Sequence, residues 1–340
     1  MPKLSEVGEG ALVRIARRIF GKGGSVLLGI GDDAAVVRVG GRLLALTTDM
    51  LVARTSFPEI ATPEQMGKKA VAVNFSDLAA VGARPIALLL SIALPADLEV
   101  SFARRMMTAI ERETRRYGAY VVGGDLDESG EISIAGFAAG LVEGKILSRG
   151  GAGPGELVGV TGTLGGAAAG LDAIRRGMGG RFRRLVRSQL EPEVRCEEGV
   201  ILGKCREVTA AIDISDSFAY NLWQIAEESG VRVVVEKKRI PVDPLVRKYC
   251  EVTRADPYDF ALFGGEDYEL LFTVRPSSLP RLRAMFERAG RRFTLVGRTE
   301  RGRGVWIEED GKVRRLPKVG YEHFKHNPQN SRALFFGGGG

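Results

Sequence analysis

Short acidic turns that follow apolar runs are the feature of this sequence that most constrains its fold. The clearest example lies within residues 26–37, where an apolar run ends in Gly29-Ile30-Gly31, Asp32 and Asp33 follow, and a second apolar run begins at once. Glycine permits sharp backbone turns, whereas adjacent carboxylates beside a core are costly unless a partner neutralises them. The stretch therefore fits either a solvated turn or one wall of a metal or phosphate–metal site.

The same order, an apolar run followed by glycines, hydroxyls or acids, returns at four later places. The residues that close these runs are Thr47, Thr48 and Asp49; Gly124 and Asp125; Asp213, Ser215 and Asp216; and Gly264, Gly265 and Glu266. Amphipathic helical patterns separate several of the runs. The sequence therefore predicts mixed α and β structure with acids at the ends of strands.

One further acid lies within a predicted helix rather than at the end of a strand. Thr62 and Gln65 form a capping-box pattern that opens a helix ending at about Val81. Asp77 falls on the apolar face of this helix, four residues after Val73. A carboxylate on a core face needs a partner, so Asp77 is either a metal ligand or half of a salt bridge. The nearby oxygens of Asn74 and Ser76 favour the ligand role.

Three glycine-containing stretches resemble phosphate-binding loops without meeting their requirements. Gly29 to Ala34 fits the dinucleotide pattern G-x-G-x-x-A, but the next residues alternate like a strand and two carboxylates would repel a pyrophosphate. Gly199 to Lys204 is one residue short of a P-loop and lacks the final hydroxyl. Gly162 to Gly166 precedes a helix and could present amides to a phosphate, although a tight strand–helix turn fits it better.

Composition narrows the chemistry and the setting. The chain has 340 residues, enough for two domains, and a glycine-rich stretch at residues 150–155 is the predicted boundary. Its only histidines, His323 and His326, argue against a histidine triad or a histidine-rich zinc site. Three cysteines in no metal-binding spacing indicate a reducing cytoplasm. The net charge of +7 is partly offset by interleaved acids, so neither nucleic acid nor a membrane is the expected partner.

The acids therefore carry the chemistry that the sequence predicts. Hard oxygen ligands with few histidines suit Mg²⁺, which proteins hold with carboxylates and substrate phosphates. Many converging carboxylates repel one another unless several divalent ions lie among them. Several Mg²⁺ ions, together with Arg149 and glycine amides, would hold a nucleoside triphosphate. The residues by themselves predict a magnesium-dependent, phosphate-handling enzyme that lacks a P-loop.

Taken together, these stretches resemble the thiamine-monophosphate kinase family, within the superfamily that includes aminoimidazole ribonucleotide synthetase. The segments that carry the resemblance are GIGDDAAVV, TTDMLV, KKAVAVNFSDLAAVGARP, GGD, LSRGGAGPGE, VTGTLGGAAAGL, DISD, GGEDYEL and GYEHF. They occur in one order and span nearly the whole chain, from Gly29 to Phe324.

The resemblance implies an α/β (α+β) fold in two domains. Residues 1–149 would form a metal- and ATP-binding domain whose mixed sheet contributes to a barrel spanning a homodimer. Residues 150–325 would form a C-terminal α/β sandwich, and residues 326–340 a flexible tail. The implied reaction transfers the γ-phosphoryl group of ATP to the phosphate of thiamine monophosphate, with several Mg²⁺ ions neutralising charge.

The resemblance also implies roles for individual residues. The implied metal ligands are Asp33, Thr47, Thr48, Asp49, Asp77, Asp125, Asp213 and Asp216, of which Asp49, Asp77, Asp125 and Asp213 are the expected catalytic groups. The implied nucleotide contacts are Gly124, Asp125, Arg149 and Ser215. The implied contacts to the acceptor are Ser56, Glu266 and Tyr321.

Three departures from the family pattern lie on the acceptor side or around it. Ser56 stands where the family usually has histidine, Ser217-Phe218 replaces glycine-leucine, and Glu191 replaces the first arginine of an Arg-Pro-x-x-Arg stretch. An alternative therefore stays open. The chain would then be a related ATP-dependent enzyme on the same scaffold that acts on a different phosphate or on a carbonyl or amide oxygen.

Overall fold

The computed structural model describes residues 2–21 and 23–324. The predicted tail at residues 326–340, with His326, lies outside this part of the chain. The first sheet and its helices comprise α1 (Leu4–Val7), α2 (Glu9–Ile19), β1 (Val26–Leu28), β2 (Ala35–Val39), β3 (Arg42–Val52), α3 (Ala53–Ser56), α4 (Pro63–Ala80), β4 (Ala83–Leu94), α5 (Val100–Arg116), β5 (Tyr120–Glu128) and β6 (Ser133–Val142).

A second sheet is built from the rest of the described chain. Its elements are β7 (Leu157–Thr161), α6 (Gly166–Arg175), α7 (Arg183–Leu190), α8 (Cys196–Lys204), β8 (Val208–Asp213), α9 (Phe218–Ser229), β9 (Arg232–Glu236), α10 (Pro244–Thr253), α11 (Pro257–Phe263), β10 (Leu270–Val274), α12 (Leu279–Arg288), β11 (Phe293–Glu300), β12 (Gly304–Glu309) and β13 (Lys312–Arg315). Short 3-10 turns lie at Lys237–Arg239 and Pro276–Ser278.

The first sheet has the strand order β1-β2-β3-β6-β4-β5. Its neighbours are antiparallel except β4 and β5, which run parallel. Helix α4 packs against β3, β4 and β6 on one face and also contacts α5, α8 and β8. No described helix or strand packs against the opposite face of this sheet, and we call it the open face. Its exposed apolar side chains include Met50, Leu89 and Phe137.

The second sheet has the strand order β13-β12-β9-β11-β7-β10-β8 and is also mixed, with β9 and β12 parallel. Strand β8 is its edge nearest the first sheet, because α4 packs against both. One buried apolar cluster runs from the first sheet through α8 to β8 and β10. The predicted α/β class with two sheets is confirmed, whereas a domain boundary at residue 150 stays a prediction.

Local sequence signals explain why α4 begins at Pro63. The Thr62 backbone N–H donates to Gln65 Oε1 at 3.0 Å, and the Gln65 N–H donates to Thr62 Oγ1 at 3.3 Å. This reciprocal pair satisfies donors that have no partner within the helix. The helix lies almost wholly in the interior, so its register decides which of its polar side chains meet neighbouring elements.

The prediction that the apolar run ends before Gly124 and Asp125 is wrong. Residues 123–128 continue β5, because parallel pairing with β4 supplies their backbone hydrogen bonds, and a register shift leaves Val122 as the extra residue on β5. A Cβ on Gly124 would lie 2.0 Å from the Leu90 carbonyl oxygen, so close pairing requires glycine there. The sequence analysis did not predict the bounds of four helices, α7, α8, α10 and α11. No helix within the described residues is long and apolar enough to cross a bilayer.

Candidate active site

Three acids from distant parts of the chain meet between the two sheets. Asp33 follows the turn after β1, Asp77 lies on α4, and Asp213 ends β8. One carboxylate oxygen from each lies within 4.8 Å of those of the other two. Asp33 and Asp213 are buried and Asp77 is half-buried. We call these residues the acid cluster, and their convergence is the strongest feature that the pattern of acids predicted.

Hydroxyl groups hold two members of the acid cluster in place. Thr47 Oγ1 donates to Asp77 Oδ2 at 2.6 Å, and Ser76 Oγ donates to Asp213 Oδ2 at 2.6 Å. Ser215 Oγ lies 3.3 Å from Asp213 Oδ1. Ser76 therefore contacts Asp213 rather than its neighbour Asp77. Because Thr47, Ser76 and Ser215 come from three elements, the cluster joins β3, α4 and the segment after β8.

Asp49 lies at the accessible rim of this site, on the same side of β3 as Thr47. Its backbone N–H donates to Asn74 Oδ1 at 3.1 Å, and Asn74 also donates from Nδ2 to the Ala70 carbonyl at 3.0 Å. The buried amide of Asn74 rests on Gly136 of β6, where a Cβ would meet Nδ2 at 2.3 Å. Glycine at position 136 therefore leaves room for the side chain that positions the strand carrying Asp49.

We expect Gly136→Ala to destabilise the protein by about 1–3 kcal/mol, because overpacking forces Asn74 out of its place. Turnover should also fall, since the Asp49 segment of β3 loses its anchor. Urea unfolding and steady-state kinetics measure the two effects. Gly130→Ala is the matched control, because a Cβ there meets nothing within 4 Å. Equal stabilities of the two variants would contradict the prediction.

Arg149 neutralises one side of the acid cluster. Its guanidinium forms an ion pair with Asp33 Oδ1, with Nε at 3.0 Å, and its backbone N–H donates to both carboxylate oxygens of Asp32. Asp32 is thus bound to the backbone after β6, while Asp33 faces the cluster. The second Asp33 oxygen, Oδ2, is buried with no hydrogen-bond partner among the described residues.

Burial and the repulsion between neighbouring carboxylates both raise the pKa values of these acids. Burial raises the pKa of Asp77 well above its ordinary value, and Asp49, Asp213 and Asp33 add to that rise. Burial, with help from Asp33, raises the pKa of Asp213 to about 7. Desolvation raises the pKa of Asp49 to about 6, with a further contribution from Glu9. These carboxylates are therefore held in a site that disfavours their combined negative charge.

The donors present fit a divalent cation of the hard type. Buried carboxylates that repel one another, hydroxyl oxygens at hydrogen-bond distance, and an orphan oxygen on Asp33 are what an oxygen-liganded cation would satisfy. A cation would also relieve the repulsion that raises these pKa values. The acid cluster therefore has the donors that a metal ion requires.

A second group of side chains lies beside the acid cluster in the loop before β10. Glu266 adopts a φ of 65° and Tyr268 a φ of 51°, both in the left-handed region that non-glycine residues rarely occupy. Backbone hydrogen bonds from Glu266 N to the Ser215 carbonyl at 2.7 Å and from Tyr268 N to Ile214 at 2.9 Å fix this loop. Strained residues often mark functional sites.

Tyr268 connects the two groups. It is buried, and its pKa lies well above the ordinary value because of burial and then of the charges of Glu266, Asp49, Asp213 and Asp77. Sequence reasoning did not assign Tyr268 a role, since an aromatic after two acids reads as the start of a strand. The charges of both Glu266 and the acid cluster therefore act on the Tyr268 hydroxyl.

Tyr321 completes this side of the site. Its backbone N–H contacts the Asp216 carbonyl at 3.3 Å, and its half-exposed ring stacks edge-on with His323 at 4.8 Å. Burial raises the pKa of Tyr321, and Glu266 contributes to the rise. Burial and Glu9 together raise the pKa of Asp216 to about 7. Asp216 thus lies between the acid cluster and Tyr321.

Ser56 lies near the same loop, through Lys69 of α4. Lys69 Nζ is 2.5 Å from Glu266 Oε1 and 3.2 Å from the Ser56 carbonyl oxygen. The Ser56 hydroxyl accepts the Val52 N–H at 3.1 Å and so caps the short helix α3. The three residues assigned to the acceptor, Ser56, Glu266 and Tyr321, are therefore brought to one region.

Three of the predicted ligands and contacts are not brought to the acid cluster within this chain. Side chains alternate along a strand, so Thr48 projects to the open face, opposite Thr47 and Asp49. Gly124 and Asp125 lie on β5, three strand positions from Asp49, which corresponds to roughly 14 Å at the usual strand spacing. The pairing of Asp125 with Ser91, and of Ser91 with Ala135, places it on the open face.

The backbone N–H groups at the start of α6 already have a hydrogen-bond acceptor within the protein. Asp267 accepts the Gly165 N–H at 2.7 Å and the Ala167 N–H at 3.3 Å. The stretch from Gly162 to Gly166 therefore makes a capped strand–helix turn, and a carboxylate occupies the amides that a phosphate would need.

Comparisons with known proteins identify the family of the chain. The family model described as AIR synthase related protein, N-terminal domain, matches residues 31–142. A thiamine-monophosphate kinase from Pyrococcus horikoshii is 38% identical over 298 residues, which are 87% of this chain and 91% of the relative. The chain belongs to the thiamine-monophosphate kinase family.

Other members extend the match to the ends of the chain and to the fold. A thiamine-monophosphate kinase from Aquifex aeolicus is 34% identical over 325 residues, covering 95% of this chain and all of the relative. A solved structure described as AaThiL complexed with AMPPCP and TMP is similar with a TM-score of 0.84 at 33% identity, over 95% of this chain and 99% of that one. The family fold is thus shown across both sheets.

Proposed function

We propose that the protein transfers the γ-phosphoryl group of ATP to the phosphate of thiamine monophosphate, giving thiamine diphosphate and ADP. The observation that carries this proposal is the acid cluster of Asp33, Asp77 and Asp213 beside the strained loop of Glu266. The family membership supports it, since the relatives are named for this activity and a similar structure is described with an ATP analogue and TMP.

The acid cluster would hold Mg²⁺, which supplies charge neutralisation for the phosphoryl groups when bound. The proposed ligands are Asp33, Thr47, Asp49, Asp77, Asp213 and Asp216. Arg149 and Ser215 lie against the same carboxylates and would contact the nucleotide phosphates. In the transfer, an oxygen of the acceptor phosphate bonds to the γ-phosphorus while the bond to the β–γ bridging oxygen breaks.

The acceptor needs no strong general base, because its phosphate is already ionised. The protein's task is therefore to align two phosphates and to exclude water. Glu266 and Tyr321 would hold the heterocyclic end of the acceptor. The Ser56 carbonyl accepts a hydrogen bond from Lys69, and the Ser56 hydroxyl accepts one from the Val52 N–H. Ser56 would therefore act on the acceptor side through the position of α3.

The test is purified protein incubated with ATP and Mg²⁺, with and without thiamine monophosphate. We expect ADP and thiamine diphosphate to form together, and only when the acceptor is present. A folded protein that binds ATP but forms no thiamine diphosphate would overturn the proposal. ADP formation with a different phosphate, carbonyl or amide acceptor would instead support the related enzyme on the same scaffold. We propose the cytoplasm as its setting, in keeping with its free, buried cysteines.

We also propose that a second copy of the chain covers the open face. Met50, Leu89 and Phe137 are 62%, 38% and 41% exposed there, an apolar surface that soluble monomers rarely leave uncovered. The edge strand β5 adds the exposed Tyr120 and, among the described residues, has no strand partner on its outer side. A barrel spanning the dimer would bury this surface. In such a dimer, Thr48, Gly124 and Asp125 of this sheet would contribute to the active site of the second copy.

We expect Phe137→Glu to convert the dimer to a monomer, because a buried unpaired carboxylate at the interface is costly. Light scattering coupled to gel filtration measures the change from twice the chain mass to one. Val313→Glu, at an exposed apolar position on β13, is the control and should leave the mass unchanged. A wild-type protein that elutes as a monomer would refute the dimer.

A further inference from the structure

We propose that Lys69, assisted by Gln189, is a positioning residue for the acceptor and fixes the carboxylate of Glu266 towards it. The inference rests on the proposed function and adds residues to which the sequence analysis gave no role in acceptor binding. Lys69 lies on α4 of the first sheet, whereas Glu266 and Gln189 belong to the part of the chain that forms the second.

The geometry around Glu266 is the first argument. Lys69 Nζ contacts Oε1 at 2.5 Å, and Gln189 Nε2 donates to Oε2. Each carboxylate oxygen therefore has one donor from the protein and keeps a further lone pair for a ligand. The Lys69 side chain is wholly buried, while the Glu266 side chain is 33% exposed. The two donors, Lys69 and Gln189, are therefore buried, whereas part of the Glu266 side chain is open to solvent.

The second argument is that Lys69 serves two acceptor-side elements at once. Its ammonium group also donates to the Ser56 carbonyl at 3.2 Å and lies 5.8 Å from the centre of the Phe57 ring. A buried ammonium group is costly unless it is paired and hydrogen-bonded, and here both needs are met by Glu266 and the Ser56 carbonyl, two residues of the proposed acceptor side. Loss of Lys69 would therefore release Glu266 and the end of α3 together.

The third argument comes from the backbone. Glu266 keeps its left-handed φ although this conformation costs free energy for a non-glycine residue. The ion pair with Lys69 and the hydrogen bond from Gln189 are made by the side chain in this conformation. Their effect is to hold one rotamer of Glu266 before a ligand arrives, which lowers the ordering cost of binding.

Lys68 supplies the contrast, since it is the preceding residue of the same helix. Its Nζ lies 2.5 Å from Glu191 Oε2, but its side chain is 31% exposed, and Glu191 also pairs with Arg187 and Gln65. The two lysines thus make ion pairs of equal length between the same parts of the chain. Of the two, only the Lys69 pair includes a residue of the proposed acceptor side.

The experiment compares Lys69→Met with Lys68→Met in steady-state kinetics, with ATP and thiamine monophosphate varied separately. We expect Lys69→Met to raise the KM for thiamine monophosphate at least tenfold and to change the KM for ATP less than twofold. Lys68→Met should leave both within twofold of wild type. A purely structural ion pair would instead lower activity without separating the two substrates.

A second variant keeps the test decisive if Lys69→Met does not fold. Gln189→Leu frees the other oxygen of Glu266 without burying an unpaired charge, and it should also raise the acceptor KM selectively. An unchanged acceptor KM in a folded Lys69→Met or Gln189→Leu protein would overturn the inference. Absence of thiamine diphosphate from the wild-type protein in the same assay would overturn the proposed function instead, so the two failures are distinct.

Discussion

Asp77→Asn is expected to lower kcat by about three orders of magnitude while making the metal-free protein more stable. The activity falls because Asp77 is the member of the acid cluster that lies among all the others, and one lost ligand weakens charge stabilisation worth several kcal/mol. The stability rises because the change removes a buried charge that Asp49, Asp213 and Asp33 repel. Active-site acids commonly cost stability in this way.

The side-chain geometry makes this substitution a mild one. An asparagine oxygen can still accept the hydrogen bond that Thr47 Oγ1 gives to Asp77 Oδ2. We expect the melting temperature of the metal-free protein at pH 8 to rise by a few degrees, for a gain of about 1–2 kcal/mol. Calorimetry in EDTA and a turnover assay measure the two effects. Asp97→Asn, at an exposed position before α5, should change neither.

Two results would contradict this account of Asp77. Near-normal turnover would show that the residue is not a ligand, and a lower melting temperature in EDTA would show that its charge is paired rather than repelled. The second result would return Asp77 to the salt-bridge alternative that its place on an apolar helix face left open.

The sequence predicted the site best where each acid ends an element whose boundaries are locally encoded. Thr62 and Gln65 fix the start of α4, and the helical period then places Asp77 on its inner face. Asp213 ends β8, as its apolar run indicated, whereas β3 continues beyond Asp49 to Val52 because pairing with β6 extends the strand. What brings the acids together is the packing of α4 against both β3 and β8, which no local pattern contains.

The sequence failed where pairing overrode local turn signals. Gly123 to Asp127 has the composition of a turn, yet parallel pairing with β4 keeps it extended and carries Asp125 to the open face. The sequence did not distinguish Lys69 from its neighbour, because tertiary packing decides which lysine is buried. Its neighbour Lys68 is equally basic, and only the register of α4 buries one of them against Glu266.

The metal-free protein is expected to lose stability as the pH rises from about 5.5 to 8, and Mg²⁺ should restore it. Burial raises the pKa values of Asp32, Asp213 and Asp216 to about 7, whereas unfolded aspartate titrates near 3.9. Between these values the folded state binds more protons than the unfolded state, so stability is greatest at low pH and falls as the pH rises through the folded pKa values.

Metal binding should have the opposite pH dependence, because protons and Mg²⁺ compete for the same carboxylates. We expect the melting temperature in EDTA to be several degrees lower at pH 8 than at pH 5.5. Added Mg²⁺ should raise it more at pH 8, since a cation that binds only the folded state stabilises it. Asp267, with a pKa raised by burial to about 8, contributes in the same sense, but it lies outside the acid cluster and accepts hydrogen bonds from the backbone at the start of α6.

Asp77→Asn separates the two contributions. If the acid cluster is the source, the variant in EDTA should lose part of the pH dependence and most of the response to Mg²⁺, while Asp267 still titrates. A wild-type melting temperature in EDTA that stays level or rises from pH 5.5 to 8 would contradict the predicted repulsion. The sign of this pH effect therefore tests whether the acids are held together against their own charge, which is the property that would make the site bind divalent cations.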